Sequence, residues 1–428
     1  MRRFNRAVSR GLTLALLCAA NISMAAEISL QQALIKTLEG NPQLKAYPYH
    51  IRRSEALKLQ ANITPSTQLE LSADNILETG AYKDTDRAEY SLTLSQVFEL
   101  GGKRQQRMAY ADANVQHQVI EFENVRLSVL AETSQHYYAL LQLQALQQQL
   151  KQRIELEERA LKTIEHRNQA GAVNNADKNK MALRLMQSKT QLSNLVADIN
   201  IAKMQLANMW LSDTTEAVKI KTKGDLKQLP SLPKETEIAN LIRSKIETLP
   251  SYQTQLAVQA INESQLRLMQ ANGSRDLTAS IGVRQFSATD DQAVISSISV
   301  PLAFSNPNRG RIAQAKINAE LGYEQLAWQK QQLSFELIKT YQLIQQQRHQ
   351  ITALETQLLP QAEKLLRNVE SAYKAGEYTV LQWIDAQSEY FQLQQQQYAS
   401  YYQIHLNLLT LERITGMPMT SAIENKNS

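Results

Sequence analysis

Glycine and proline are scarce in this chain, 13 and 10 among 428 residues, while Gln, Leu and Ala recur throughout. Few breakers and many helix formers exclude a loop-rich or mostly β architecture and favour long helices. Only one cysteine is present, Cys18, so no disulfide forms within the chain. Long hydrophobic runs are missing too. The longest, residues 12–20, is about half the ~20 apolar residues that a transmembrane helix needs. If the chain enters a membrane it does so by β-strands, because only helices and closed barrels satisfy the backbone in lipid. An apolar fraction of 43% against 20% charged residues excludes disorder.

A basic surplus is missing as well. The formal net charge is +5, but Arg2, Arg3, Arg6 and Arg10 stand in the first 25 residues, which hold no acid, so removing that segment leaves +1. A near-neutral chain gives no footing for nucleic-acid binding. The segment itself has a basic start, a short apolar stretch and small residues at Ser23 and Ala25, the pattern of a secretory signal peptide. Cleavage is expected between Ala25 and Ala26. Lipidation of Cys18 wants a small residue before it, where Leu17 stands, so the mature chain is expected to carry no cysteine and no lipid.

What is present is one unit written twice. The phrase RNQAGAVNNADKNKMAL around Gly171 is answered by AYKAGEYTVLQWIDAQ around Gly376, 205 residues later. Upstream, SLTLSQVFELGGKR from Ser91 faces SSISVPLAFSNPNRGR from Ser296 at the same offset. Equal offsets at two landmarks indicate tandem duplication. Each unit opens with a helical pattern, over 30–61 and 235–271. Two alternating segments follow. Leu69, Leu71 and Ala73, then Tyr90, Leu92 and Leu94, alternate with polar residues in unit one. In unit two the apolar positions are Leu277, Ala279, Ile281 and Val283, then Ile298, Val300 and Leu302. Period two across a polar turn predicts a β-hairpin with one apolar and one polar face.

From residue 103 to 170 there is neither Gly nor Pro. A helix of that length spans about 100 Å. Leu143, Leu146, Leu150, Ile154 and Leu161, and in unit two Leu326, Leu333, Leu337, Ile344, Ile351, Leu354 and Leu358, repeat at coiled-coil spacing. Return helices are predicted over 177–211 and 380–414. The division of the chain is therefore 1–25 signal, 26–211 first unit, 212–233 a linker or equatorial segment richer in Lys, Thr and Pro and placed outside the bundle, 234–416 second unit, and 417–428 a polar, disordered tail. The fold class is mainly α with a small β part. Four strands cannot close a barrel, and open edges are not tolerated in lipid. Three chains would pool twelve strands and close their helical hairpins into an α-barrel, a homotrimer.

Chemistry is absent from the pattern. His50, His117, His136, His166, His349 and His405 are scattered without metal-ligand spacing. The GGK at Gly101 lacks the rest of a phosphate loop, and no GxSxG or HExxH occurs. No catalytic, cofactor or metal site is expected, and the chain reads as no enzyme.

Across nearly its whole mature length this organisation resembles the TolC-like outer-membrane factors of tripartite efflux pumps. ISLQQALIKTLEGNPQL from Ile28 is similar to the family's opening helix, and GEYTVLQWIDAQ from Gly376 to its second tip. SQVFELGGKR from Ser95, with PLAFSNPNRGRIAQA from Pro301, resembles the CzcC-like branch serving pumps that export heavy-metal cations. The resemblance implies an exit duct in the outer membrane, anchored in lipid and driven by an inner-membrane proton-coupled transporter of the RND type. A periplasmic membrane-fusion adaptor would meet the tips at Ala170–Gly171 and Ala375–Gly376; small residues there also simply turn the chain. It further implies a periplasmic aperture lined by acids six and nine residues after the second tip glycine. Here those positions are Gln382 and Asp385. The matching acid of unit one is Asp177, and the family's basic partner falls on Tyr378, so a hydrogen bond is expected there in place of a salt bridge. Alternatives left open are a duct for drugs or secreted proteins and, more remotely, a periplasmic coiled-coil scaffold.

Overall fold

The structure, a computed structural model, describes residues 27–76, 80, 85–211, 217, 219–302 and 305–417. The expected signal segment, its cleavage point at Ala25–Ala26, and all but the first residue of the polar tail lie outside them.

Strand β1 (Glu27–Ile28) leads into α1 (Leu30–Gly40) and α2 (Pro42–Ala61). The single helix expected over 30–61 is thus two, and the break is chemical. Asn41 stands in extended conformation and its side chain accepts from the backbone N–H groups of Gln43 and Leu44, while Pro42 takes the first helical position. Strands β2 (Gln68–Asp74) and β3 (Glu89–Phe98) precede α3 (Lys103–Gln169), 67 uninterrupted residues, and the return helix α4 (Asn175–Asn208). After β4 (Lys221–Thr222) comes α5 (Glu235–Asn240), a π turn and a 3-10 turn, then α6 (Pro250–Ala271). Here too one expected helix is divided, at the extended Leu249 before Pro250. Strands β5 (Leu277–Phe286) and β6 (Asp291–Ser299), α7 (Arg309–Ala353), α8 (Leu359–Ala375) and α9 (Val380–Thr415) complete the chain. Both halves repeat the same order of hairpin, long helix and return helix.

The two hairpins join in one antiparallel sheet of order β2-β3-β5-β6. Its register places Leu71, Leu92, Val283 and Val294 in one row across all four strands. That row is exposed, Leu71 and Val294 by about three-quarters. The opposite face carries Ser91, Ser95, Ser280 and Arg284, where Ser95 and Ser280 are hydrogen-bonded at 2.9 Å and Arg284 pairs with Glu89 at 2.9 Å. One apolar and one polar face is what a lipid-embedded, water-filled barrel requires. The last expected strand is misplaced: β6 begins at Asp291 and ends at Ser299, so Val300 and Leu302 lie beyond it. Pro301 has no N–H to donate to the ladder.

The helices form two stacked layers. Above the equator α2, α3, α6 and α7 lie side by side, in the order of the strands they join; below it α4, α3, α9 and the α7–α8 helix do. The junction between α7 and α8 is a π turn at Leu354–Leu358, just before Pro360. The wider turn accommodates a residue that lacks an N–H, and Glu355 within it accepts from Gln397 Nε2 at 3.0 Å and the Tyr401 hydroxyl at 2.7 Å. Among the described residues no helix is long and apolar enough to cross a membrane.

The largest core cluster sits at the equator, where Leu140, Leu206, Leu337, Ile344, Ile404 and Leu408 are fully buried. The connecting segment expected outside the bundle is tied into this core. Its β4 pairs in parallel with β1, Leu226 is buried, and Tyr137 donates its hydroxyl to the Lys223 carbonyl. His405 donates from Nε2 to the Leu226 carbonyl at 2.9 Å and stacks on Tyr138 at 4.0 Å. Burial pushes the imidazole down to about 4, against that hydrogen bond. The unfolded chain takes up a proton near the ordinary 6.5 and the folded one only near 4. Stability is therefore complete above pH 6.5 and falls as pH drops toward 4, by about 1.4 kcal/mol per pH unit for each chain. His405→Phe keeps the stack and removes this contribution. Its thermal transition is expected to shift less between pH 7.5 and pH 5 than the parent's, whatever its absolute value. Equal shifts in the two proteins would refute the assignment.

Candidate functional site: the helical tips

Both long hairpins end in short turns, and the chain brings the two turns together. The first is opened by Gly171 at φ 76°, a left-handed conformation that favours glycine. Asn174 then caps α4 by accepting from the Asp177 N–H at 2.8 Å, and Asn168 donates to the Val173 carbonyl at 2.8 Å. The second turn has Gly376 at φ 89°, with the Glu377 N–H reaching back to the Ala372 carbonyl at 2.9 Å. Thr379 and Gln382 then form a reciprocal cap on α9, at 2.9 and 3.3 Å. Ala170 and Ala375, each beside a tip glycine, are exposed.

What fastens the tips is a residue the sequence did not single out. Arg167, in the last turn of α3, donates to the Tyr373 carbonyl and, at 3.3 Å, to the Lys374 carbonyl. These carbonyls lie in the last turn of α8, where a cation is favoured, and the Tyr373 carbonyl also accepts from the Gly376 N–H at 3.1 Å. Its guanidinium also lies 5.0 Å from the Tyr373 ring, which stacks on Trp383 at 4.9 Å. Tyr373 and Trp383 belong to a core with Ile164, Met181, Leu366 and Val380 that joins α3, α4, α8 and α9. Burial raises the Tyr373 phenol, with the Arg167 charge opposing. A second tie lies higher up. Buried Glu157 accepts from Arg153 at 2.8 Å and sits 3.6 Å from Arg184, which donates to Ser388 at 2.8 Å. Burial first, and then Arg153, lowers the Arg184 pKa.

The expected aperture residues are distributed unequally. Asp385 is exposed on the face of α9 opposite the buried Trp383, Ile384, Ala386 and Gln387. Gln382 lies on the same face, but its side chain is spent on the cap. Glu389, four residues beyond Asp385, is exposed on that face as well and was not anticipated. Asp177 is half-buried beside Tyr373. Tyr378 is exposed, and the hydrogen bond expected between it and Asp177 is not formed within the chain. Among the described residues no group of His, Cys, Asp or Glu is arranged to hold a metal ion.

With this geometry in view, the comparisons with known proteins agree among themselves. A family model described as "Outer membrane efflux protein" matches residues 33–210 and 269–417. The cobalt-zinc-cadmium resistance protein CzcC of Cupriavidus metallidurans is 21% identical over 392 residues, 92% of this chain and 91% of the relative. Among solved structures, the outer-membrane channel OprN superposes with a TM-score of 0.76 at 17% identity, over 91% of this chain and 90% of its own. VceC from Vibrio cholerae gives 0.74 at 18%, over 90% and 96%. CusC gives 0.73 at 14%, over 90% and 91%. All three share the fold of long helical hairpins joined to a small sheet.

Proposed function

This chain belongs to the outer membrane efflux protein family, and from that membership we propose that it is the exit duct of a tripartite pump for divalent heavy-metal cations. The observation that carries the cargo is its likeness to a cobalt-zinc-cadmium resistance protein along nearly the whole length of both chains. The phrase FELGGKR at the foot of β3 points the same way. As an outer-membrane efflux channel the protein supplies a passage and no energy. An inner-membrane RND-type transporter drives the flux, and a periplasmic adaptor joins it to the tips near Gly171 and Gly376.

The assembly proposed is a homotrimer. Strand β2 runs outward from α2, β6 runs back toward α7, and both have a free edge. Edge β2 of one chain and edge β6 of the next are therefore antiparallel, and three chains close twelve strands without an open edge. The edge helices agree. Ile317, Leu321, Trp328 and Phe335 form an exposed apolar stripe on α7, and Leu57 and Leu59 are exposed on α2. At the other end, three copies of Asp385 and Glu389 would ring the aperture with carboxylates that attract cations.

Deleting the gene, in a strain without redundant pumps, is expected to lower tolerance to zinc, cobalt and cadmium more than to dyes or antibiotics. Unchanged metal tolerance with new dye sensitivity would transfer the duct to drug efflux.

A further inference from the structure

The connecting segment carries a pattern for which an exit duct has no evident use. From Lys219 to Lys223 the lysines at 219, 221 and 223 alternate with Ile220 and Thr222. In extended chain, alternate side chains stand on opposite faces, and burial follows that rule. Thr222 is 4% exposed and Ile220 packs on the equatorial core, while all three lysines are exposed. Pairing of β4 with β1 and the 2.7 Å hydrogen bond from Thr222 to Gln144 of α3 fix this orientation. The row of cations is therefore held in place by the fold.

Beside it lies a groove of about 820 Å³ between the strand and helices α3 and α4. Lys151 on α3 and Lys203 on α4 line its other walls, each with an amide one turn away, Gln148 and Asn200. Among the described lining residues five lysines face two acids, Glu27 and Asp225. Glu27 accepts from Lys221 at 2.7 Å. That bond first, then the charges of Lys221 and Lys223, hold the Glu27 carboxyl below its ordinary value. The chain's own carboxylate thus shows what this surface favours. Lys219 and Lys223 are four residues apart, about 13 Å along extended chain. One carboxylate cannot reach both, so the matching ligand carries several anionic groups at intervals.

Depth selects the source of those groups. Leu141, which lines the groove, stands 38 residues after Lys103 in α3, about 57 Å from the foot of the sheet. Membrane headgroups are out of reach at that distance. A duct running from the outer membrane into the periplasm meets the cell wall instead, a polysaccharide whose short peptide stems carry free carboxylates. We propose that this groove binds the stem carboxylates and fastens the duct to the wall. Three grooves around a trimer would add weak single contacts into a firm hold. The inference rests on the placement in the outer membrane and is independent of the cargo.

Purified protein in detergent, spun down with purified cell-wall sacculi, tests this. The parent is expected to sediment with them at low salt and to be released as salt rises. Amidation of the free carboxylates of the sacculi should lower the bound fraction about tenfold, which separates the stems from the sugar backbone. Lys151→Glu, Lys221→Glu and Lys223→Glu together should lower it about tenfold or more, and Arg at the same three positions should retain it. Lys162→Glu, Lys180→Glu and Lys364→Glu, exposed on the helices nearer the tips, make the same change in net charge and should bind like the parent. Heat-modifiable migration reports whether each variant is assembled. Should the Glu triple not assemble, Lys151→Gln with Lys223→Gln leaves the Lys221–Glu27 pair intact and is expected to bind about threefold less. If the parent does not sediment, if amidated sacculi capture it equally, or if the groove variants bind like the parent, the groove is not a cell-wall site. If phosphatidylglycerol vesicles displace the sacculi at equal charge concentration, the ligand is a headgroup and the inference is overturned.

Discussion

Leu92→Arg is expected to leave almost no assembled protein in the outer membrane. Leu92 stands in the middle of the apolar row that crosses all four strands, with Leu71 on one side and Val283 on the other. It is half-exposed in a single chain because its surroundings are meant to be lipid. An arginine at mid-membrane depth costs about 2–4 kcal/mol, and three copies in a trimer raise this to roughly 6–12 kcal/mol. A whole domain has a net stability of about 5–15 kcal/mol, so assembly should fail. Thr93→Lys is the matched control. Thr93 lies on the polar face opposite Gly282, where a long cation has room and water. Heat-modifiable migration and the yield in the outer-membrane fraction report both variants. If Leu92→Arg assembles to the parent's level, the lipid face has been assigned to the wrong side of the sheet.

That sheet was legible in the sequence, and for a physical reason. Alternation along β2, β3 and β5 is imposed by lipid on one side and water on the other, so the pattern survives in each strand taken alone. The start of strand β6 is not legible in the same way, because its first three residues, Asp291 to Ala293, carry no run of alternating large apolar side chains. Its start is fixed instead by the short turn in which Asp290 adopts φ 56°. The 67-residue α3 was legible because nothing in it interrupts a helix. The breaks at Asn41 and Leu249 were not, since apolar spacing continues across each and masks the capping chemistry. Both carry a local signal all the same: a capping Asn before Pro42, and an extended residue before Pro250.

The tips divide in the same way. Gly171 and Gly376 announce themselves by being rare. Thr379 and Gln382 announce a capping box by their spacing, which also explains why Gln382 has no free side chain to offer an aperture. Glu389 repeats the period of Asp385 along one face of α9, so helical spacing alone would have found it. Arg167 could not be found so. Its partners are 206 and 207 residues away, and a basic residue in the last turn of a helix is ordinarily a response to that helix's own dipole. Only the fold shows that it caps the neighbouring unit's α8 instead.

That displacement makes Arg167→Ala the most informative substitution at the tips. If the duct widens by parting the α8–α9 hairpin from α3, Arg167 opposes it, because among the described residues it is the charged group that donates from α3 to the end of α8. A hydrogen bond to a charged group contributes about 1.5–3 kcal/mol, and the contact with the Tyr373 ring adds about 0.5–1 kcal/mol at a partly exposed position. Solvent screening lowers the sum, and a net of about 2 kcal/mol per chain shifts a closed–open equilibrium roughly thirtyfold. Purified Arg167→Ala in planar bilayers is expected to show larger and longer openings than the parent. Arg167→Lys should fall between them, because an ammonium keeps the charge but loses the planar guanidinium that lies over the Tyr373 ring. Asp385→Ala separates gating from selectivity. It removes a carboxylate without touching the tie, so cation preference and block by trivalent cations should weaken while the frequency of opening stays near the parent's. If Arg167→Ala opens no more than the parent while Asp385→Ala changes selectivity, the ring is where it was placed and Arg167 only rigidifies the turn. If Asp385→Ala also conducts and is blocked like the parent, the aperture does not lie on this face of α9.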